Sequence, residues 1–206
     1  MRLALNIMLH RKGRLVGKYS SISELLKHER KEIDYRISFE RRARSSIAIV
    51  APHGGAIEPR TSDIAQGIAG SELHIYCFEG IKSSGNYDAL HVTSHSFDEQ
   101  QCLDLIADAR VVMTIHGCRG SHEAVYLGGL DAELIETLAQ AFRAAGLAAH
   151  TVGHDYPGTE PLNICNRGAT RRGVQLELTR GLRQGKAAGA LVSSARQILL
   201  AHDNVA

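Results

Sequence analysis

The pattern of apolar and polar positions along the chain predicts a series of strands separated by helices. Two short runs, residues 47–51 and 111–115, are apolar at almost every position, which is typical of strands buried on both faces in the middle of a sheet. Residues 33–39 and 174–178 alternate apolar with polar side chains, as strands with one buried face do. Shorter apolar segments predict further strands at residues 73–78, 90–93 and 147–152.

Helix starts are predicted from capping boxes, in which a serine and a glutamate three residues later satisfy the first backbone N–H groups. Ser21 begins one such box and Ser96 begins another. Apolar residues at helical spacing predict a helix over residues 131–145, with Gly146 as its C-terminal cap. Strands that alternate with helices indicate an α/β fold class, a three-layer α/β/α arrangement around a central mixed, mostly parallel sheet. Further helices are predicted near Ile64 and over much of residues 188–202.

Length and composition are those of an ordinary globular protein. The 206 residues are enough for one α/β domain with a sizeable core, and 44% of them are hydrophobic and 22% charged. No repeat or linker divides the chain, so we predict an irregular N-terminal arm at residues 1–18 and a single domain at residues 19–206. A net charge of +2 and 5% aromatic residues do not favour a nucleic-acid-binding protein.

The first residues of the chain do not predict a signal peptide. The apolar run after Met1 is short, contains Asn6 and ends in a basic His-Arg-Lys segment rather than at a small-residue cleavage site. The four cysteines are far apart and form no CxxC pair, as expected for reduced thiols. No apolar run approaches the roughly 20 residues that span a bilayer. We therefore expect a cytoplasmic protein with no membrane partner.

Two of the predicted central strands end in a histidine followed by a glycine, at His53 and His116. Ligands of open α/β sheets bind at the carboxyl ends of the strands, so both imidazoles are expected at the same edge. A single histidine in such a place is most often a hydrogen-bonded loop residue. The pair, together with Glu58 shortly after His53, indicates a metal site. Two imidazoles and one carboxylate leave a fourth position open for water, which is typical of a catalytic zinc ion.

Other polar residues near these strand ends are candidates for catalysis or substrate binding. Glu177 lies inside an apolar strand, where a carboxylate is destabilising without a partner, so it is the best candidate for a general base; the alternative is an outward-facing glutamate. Arg167 could bind a substrate carboxylate, and Arg119 could do the same or stabilise an oxyanion, although each alone is more often a surface arginine. Two histidine pairs follow less regular segments and are expected at the surface or beside the site: His91 with His95, and His150 with His154.

Six segments of the chain occur in an order that resembles one known family. They are Ala51-Pro52-His53-Gly54-Gly55-Ala56-Ile57-Glu58-Pro59, Phe78-Glu79-Gly80-Ile81-Lys82, Leu90-His91-Val92-Thr93-Ser94, Ile115-His116-Gly117-Cys118, Asn163-Ile164-Cys165-Asn166-Arg167-Gly168 and Gly173-Val174-Gln175-Leu176-Glu177-Leu178. From about Tyr19 to Arg183, the chain resembles the poly-γ-glutamate hydrolase family, known from bacteriophages and bacterial genomes. The resemblance implies a zinc-carboxypeptidase-like α/β fold. It also implies cleavage of γ-glutamyl linkages, since the phage members of the family cleave the poly-γ-glutamate of bacterial capsules.

The resemblance also implies roles for individual residues. His53, Glu58 and His116 would bind one zinc ion, and Glu177 would act as the general base. The zinc ion would polarise the amide carbonyl and lower the pKa of a water molecule to around 7. Glu177 would remove the proton of this water and return it to the leaving amine, while an arginine such as Arg119 helps to stabilise the oxyanion.

The expected partner is a γ-linked glutamate polymer or a small amide substrate. The pair Asn166-Arg167 resembles the carboxylate-binding Asn-Arg pair of carboxypeptidases, although here it follows the second histidine. Two alternatives stay open: a zinc amidohydrolase acting on a small acyl-amino acid such as N-formylglutamate, and a non-catalytic, replication-associated protein. A nucleic-acid partner is not expected, because no binding motif for one is present. A cytidine-deaminase-like zinc site would need HxE and PCxxC segments, which the sequence lacks.

Overall fold

The computed structural model describes residues 17–203, in which seven strands form one mixed sheet. The predicted N-terminal arm, residues 1–18, lies outside this range except for Gly17 and Lys18. No helix within the described range is long and apolar enough to cross a membrane. The elements, in chain order, are α1 (Ile22–Leu25), β1 (Tyr35–Glu40), β2 (Ile47–Gly55), α2 (Thr61–Ala69), β3 (His74–Gly80), α3 (Asn86–Leu90), α4 (Gln100–Ile106), β4 (Val111–Cys118), β5 (Ala124–Gly129), α5 (Ala132–Ala144), β6 (Ala148–His150), β7 (Val174–Thr179), α6 (Arg180–Gln184) and α7 (Ala188–Asp203), with 3₁₀ turns at Ser94–Ser96 and Ile164–Arg167.

The strands of the sheet follow the order β1-β3-β2-β4-β7-β5-β6. The four central strands, β3, β2, β4 and β7, are parallel to one another. Strand β1 is antiparallel to β3, β5 is antiparallel to β7, and β6 is parallel to β5. This topology confirms the predicted mixed, mostly parallel sheet. The carboxyl ends of the neighbouring strands β2, β4 and β7 therefore meet at one edge, where ligands of such sheets bind.

Helices pack on both faces of the sheet, which confirms the predicted three-layer arrangement. On one face, here called the α5 face, apolar side chains such as Ile49 and Met113 pack with those of α2, α5 and α7. On the opposite face, here called the α4 face, Val50 and Val112 pack with apolar side chains of α1, α3 and α4. Because successive residues of a strand point to opposite faces, β2 and β4 contribute to both cores, and their sequences are apolar throughout.

The helices of the α4 face cover only half of the sheet. The core on this face draws on β1, β3, β2 and β4, and within residues 17–203 it includes no side chain of β7, β5 or β6. Part of the long connection between β6 and β7 lies there instead, with the carbonyls of Tyr156 and Pro157 against Gly128, and Gly158 against Gln175. A concave region with polar walls is left beside the carboxyl ends of the central strands.

Three predicted helix ends are confirmed. The Ser21 side chain accepts a hydrogen bond of 3.1 Å from the backbone N–H of Glu24, as the capping box predicts. Asp131 caps α5 by accepting from the N–H of Leu134. Gly146, with a φ of 82°, follows the C-cap residue of α5 in the left-handed conformation that favours glycine.

Two local predictions are wrong. Residues 90–93 are not a strand, because Leu90 ends α3 and Val92 is buried under the α4 face without pairing to the sheet. Helix α4 does not begin at Ser96, which lies in a 3₁₀ turn; instead the side chain of Glu99 caps the helix. Strand β5 and helix α6 are not predicted at all, since both are short and their apolar residues show no clear period.

An ion-pair network joins the segment around α1 to the chain just after β3. Lys82 Nζ lies 2.7 Å from Glu29 Oε2 and 3.0 Å from Asp34 Oδ1, and Lys18 and Tyr19 also donate to Glu29. Burial raises the pKa of Glu29, but the hydrogen bonds from Lys82, Tyr19 and Lys18 outweigh it and lower the pKa to about 2. The hydrogen bond from the backbone N–H of Arg30 has the largest effect on Asp34, and the one from Lys82 the next largest. Together they lower the pKa of Asp34 to about 2.

We expect Lys82→Met to destabilise the protein at neutral pH and to have less effect in acid. Glu29 and Asp34 have folded-state pKa values below their unfolded values near 4, so their stabilisation is present above about pH 4 and is lost as the pH falls towards 2. Urea denaturation midpoints of variant and parent should converge between about pH 7 and 3. Lys186→Met, which removes an exposed lysine, is the control. An equal loss of stability across this pH range would contradict the assignment.

Candidate functional site

A β-bulge in β2 turns His53 towards the α4 face. The predicted turn after residue 51 is wrong, because the strand continues to Gly55. Its register against β3 shifts between Ala51 and Gly54, which leaves one extra residue on β2. An extra residue reverses the alternation of side chains, so His53 does not share the α5 face with Ala51. Its Nε2 lies 2.7 Å from the carbonyl oxygen of Val92, on the α4 side of the sheet.

Three predicted ligands, His53, Glu58 and His116, lie together at this edge. His116 is inside β4, which continues to Cys118 past the predicted end of the strand. Its Nδ1 lies 3.2 Å from Nδ1 of His53. The turn after β2 is closed by a 2.9 Å hydrogen bond from the Glu58 N–H to the His53 carbonyl, which brings the carboxylate back to the histidines. Glu58 Oε1 is 3.3 Å from His53 Nδ1, and Oε2 is 3.9 Å from His116 Nδ1. All three side chains are buried.

The outer nitrogen of each ring contacts an oxygen atom, and in His53 this contact determines which inner nitrogen is free to bind a cation. A carbonyl oxygen can only accept, so the contact with Val92 places the proton of His53 on Nε2. In the neutral ring, the lone pair of Nδ1 then faces Glu58 and His116. The Nε2 of His116 lies 3.3 Å from the hydroxyl of Ser94, which can accept a hydrogen bond from it or donate one to it. Histidines that bind metal ions are commonly held by such a contact at the other nitrogen.

Charge at the cluster also suits a divalent cation. Burial raises the pKa of Glu58, but the charge of His53 and hydrogen bonds from His53 and His91 outweigh it and hold the pKa well below its usual value. Burial and then the charge of His53 lower the pKa of His116 to about 3. At neutral pH Glu58 is therefore ionised and His116 neutral. Burial lowers the pKa of His53, but Glu58 outweighs it and raises that pKa, so a cation bound at Nδ1 would replace a proton there. Nitrogen and carboxylate oxygen donors of this kind fit Zn²⁺.

His91, expected from the sequence at the surface or beside the site, belongs to the same cluster. Its ring stacks on His53 with centroids 4.1 Å apart, and its Nε2 lies 3.6 Å from Glu58 Oε1. One ligand atom each from His53, Glu58 and His91 lies within 4.8 Å of the other two, which is close enough for a shared metal ion. The sequence gives little sign of this, because His91 follows a short helix and not a strand.

Glu177, the predicted general base, lines the cleft in front of the cluster. In the sheet it is registered against His116 across the β4–β7 ladder. The Gln175 amide donates to Glu177 Oε1 at 3.4 Å and accepts a hydrogen bond of 2.8 Å from Asn163. The cleft has a volume of about 270 Å³. Its lining residues are His53, Glu58, His91, Thr93, Ser94, His95, His116, Asp155, Tyr156, Pro157, Gly158, Thr159, Glu160, Asn163, Gln175 and Glu177.

The structure does not bring Arg119, Asn166 and Arg167 into this cleft. The Asn166 amide donates to the carbonyls of Gly158 and Glu160, and its oxygen accepts from backbone N–H groups, so the side chain holds the loop that borders the cleft. Arg167 donates to a backbone carbonyl at 3.0 Å, and Arg119 is exposed. The described residues that line the cleft include neither lysine nor arginine.

Arg183, which is not among the residues predicted for the site, lies buried behind the cluster. Its guanidinium donates to the carbonyls of Leu178 at 3.1 Å and Cys118 at 3.3 Å, and also to that of Pro59. It therefore ties together the ends of β7 and β4 and the turn that carries Glu58. A Cβ placed on Gly117 would lie 2.6 Å from Cζ of Arg183, so the strand passes this side chain closely. The sequence gives no sign of this contact.

We expect Gly117→Ala to destabilise the protein by about 1–3 kcal/mol, because Arg183 is fixed by three carbonyls and cannot move aside. Gly189→Ala is the matched control. Its added methyl meets no atom within 4 Å, and alanine in place of glycine stabilises a helix by roughly 0.5–1 kcal/mol. Urea denaturation of both variants measures the two effects. A loss that is no larger for Gly117→Ala than for the control would contradict the tight packing of Arg183.

Comparisons with known proteins identify one family. Residues 19–190 match the model of a family described as poly-gamma-glutamate hydrolase. The chain is 33% identical over 163 residues to the UPF0714 protein YndL of Bacillus subtilis (strain 168); the match covers 78% of this chain and 64% of YndL. The chain therefore spans less than two thirds of the length of that relative.

Two solved structures have the same fold over most of their length. A bacteriophage poly-gamma-glutamate hydrolase has a TM-score of 0.86 and 25% sequence identity, with 92% of this chain and 100% of the phage chain covered. YNDL in its zinc-free apo form has a TM-score of 0.81 and 28% identity, with 88% and 96% covered.

Proposed function

The chain belongs to the poly-γ-glutamate hydrolase family, and on that premise we propose that it hydrolyses γ-glutamyl amide bonds of poly-γ-glutamate with the help of one zinc ion. The observation that carries the proposal is the meeting of His53 Nδ1, His116 Nδ1 and the Glu58 carboxylate in a cleft at the carboxyl end of the sheet. The zinc-free form of the relative YNDL supports zinc as the metal.

In this proposal, His53, Glu58 and His116 hold the ion. When bound, zinc supplies Lewis acidity towards the amide carbonyl and lowers the pKa of a water molecule to about 7. The chain keeps its donors in position: the Val92 carbonyl fixes the tautomer of His53, and the Gly117 N–H, 2.7 Å from Glu58 Oε2, orients the carboxylate. Contacts of this kind raise the affinity of a site, because the ligands need not reorganise on binding.

Glu177 acts as the general base of the reaction. It removes a proton from the attacking water and returns it to the nitrogen of the leaving amine. The contact with Gln175 restricts the rotation of its carboxylate. The α-carboxylate of the substrate meets donors of the cleft, such as His95 and Ser94, since Asn166 and Arg167 are engaged elsewhere.

Zinc content tests the ligand set. We expect one zinc per chain in the parent protein and a loss of affinity of more than about 100-fold in His116→Ala, because the variant lacks a first ligand. In His91→Ala we expect a loss of about tenfold or less, since in this proposal His91 orients Glu58 across 3.6 Å and does not hold the ion itself. Elemental analysis and chelator competition measure both, with His202→Ala, an exposed histidine on α7, as control. The reverse order of losses would replace His116 by His91 in the ligand set.

Substitution of the general base tests the mechanism. Glu177→Gln should keep the zinc ion and lose turnover by roughly 10²–10⁴-fold, because glutamine has the same shape but cannot accept the proton. Chain length of the polymer after incubation, followed by size-exclusion chromatography, gives the rate. Glu133→Gln, an exposed glutamate on α5, is the matched control. Undiminished turnover in Glu177→Gln would remove this residue from the mechanism.

The choice of substrate tests the proposed function itself. Zinc-loaded protein is incubated with γ-linked polyglutamate, α-linked polyglutamate and N-formylglutamate in parallel. We expect only the γ-linked polymer to be shortened. Release of formate from N-formylglutamate, with the polymer left intact, would instead identify an amidohydrolase of small acyl-amino acids.

A further inference from the structure

A row of polar and aromatic side chains crosses the uncovered half of the sheet, starting at the metal-ligand cluster. His116 on β4 is registered against Glu177 on β7, Glu177 against Tyr126 on β5, and Tyr126 against His150 on β6. Directly paired residues of neighbouring strands place their side chains on the same face. The row therefore runs over the α4 face from the centre of the sheet to its edge, where no helix of residues 17–203 packs on it.

Five rings gather around this row and form what we call the ring platform. They are His122, Tyr126, His150, His154 and Tyr156. The Tyr126 ring stacks on His150 at 5.5 Å between centroids and lies 5.6 Å from Tyr156 and 5.4 Å from His154. Its hydroxyl lies 3.1 Å from Nε2 of His122. The rings thus make one connected surface.

The rings of the platform differ in their exposure and in their hydrogen bonds. His154 contacts backbone groups with both ring nitrogens, the Leu127 carbonyl at 3.2 Å and the Tyr156 N–H at 3.2 Å, so it supports the platform from within. His122 and His150 are exposed, and Tyr126 is half-buried between them. The outer surface therefore offers imidazole nitrogens beside an aromatic face.

The ring platform continues the catalytic cleft. Tyr156 lines the cleft and also contacts Tyr126, while Glu177 is the direct sheet neighbour of Tyr126. Two strand spacings separate β7 from β6, which is about 10 Å. One γ-linked glutamate unit has five backbone bonds and spans roughly 6 Å. The platform from Glu177 to His150 thus matches about two units of such a chain.

We propose that the ring platform binds the γ-glutamyl units that lie next to the cleaved bond on one side. Each unit carries two methylene groups, which pack on the face of Tyr126, and one α-carboxylate, which accepts hydrogen bonds from the imidazoles of His122 and His150. A polymer needs such a surface because the cleft itself holds little more than the units at the cleaved bond. The inference rests on the proposed function, since it takes its ligand from there.

Equilibrium binding tests this inference without turnover. A fluorescently labelled γ-linked glutamate decamer and a γ-linked dimer are titrated with zinc-loaded Glu177→Gln protein, and His150→Ala and Tyr126→Leu are then added to this background. We expect decamer binding to weaken about fivefold in His150→Ala and about tenfold in Tyr126→Leu, with dimer binding unchanged. With Glu177 intact, the same variants should raise KM for the polymer and leave kcat unchanged.

His202→Ala, an exposed histidine on the opposite side of the sheet, is the control and should change neither affinity. Thermal unfolding identifies a misfolded Tyr126→Leu, in which case His150→Ala, an exposed position, decides. Equal decamer affinity in parent and folded variants overturns the inference, whether or not the protein cleaves the polymer. If the variants cleave the polymer and bind the decamer as the parent does, the proposed function is retained, but the ring platform is not a binding site. Weakened binding of decamer and dimer alike also overturns the inference, because it indicates damage to the cleft.

Discussion

The site depends on the burial of one carboxylate. Removing an ionised carboxylate from water costs several kcal/mol unless charges and hydrogen bonds replace its hydration. Glu58 receives this replacement from two strands and a loop: His53 on β2, the Gly117 N–H on β4, and His91 after α3. Each of these groups must be in place for the turn after β2 to close as it does. The need to replace the hydration of the Glu58 carboxylate therefore determines how β2, β4 and the segment after α3 are arranged at the carboxyl edge of the sheet.

The cleft exists because the two faces of the sheet are covered differently. Helices of the α5 face pack on β3, β2, β4, β7, β5 and β6, whereas the helices of the α4 face stop at β4. The bulge in β2 turns His53 onto the α4 face, next to the half of that face that is open. Thus one extra residue in a strand, and one incomplete layer, together decide where a substrate can approach. The ring platform occupies the rest of the open half.

The central strands and the histidines at their ends could be predicted from the sequence, whereas the bulge and the tertiary contacts around the cluster could not. The apolar runs predict buried strands because both faces of β2 and β4 are covered, and the histidines at their ends follow from the same pattern. Alternation cannot show the bulge, because the extra residue has no chemical mark of its own. His91 and Arg183 reach the cluster through tertiary contacts, as does Asn166, whose amide holds a loop. Contacts of that kind have no period along the chain.

The contact between Gly117 and Arg183 also constrains how such a protein can evolve. A side chain at position 117 would need the space that the guanidinium fills, and loss of the guanidinium would remove one donor from each of the carbonyls of Leu178, Cys118 and Pro59. Either substitution alone gives a less stable protein, so residues 117 and 183 are expected to change together during evolution. In an alignment of descendants, glycine and arginine should appear and disappear as a pair.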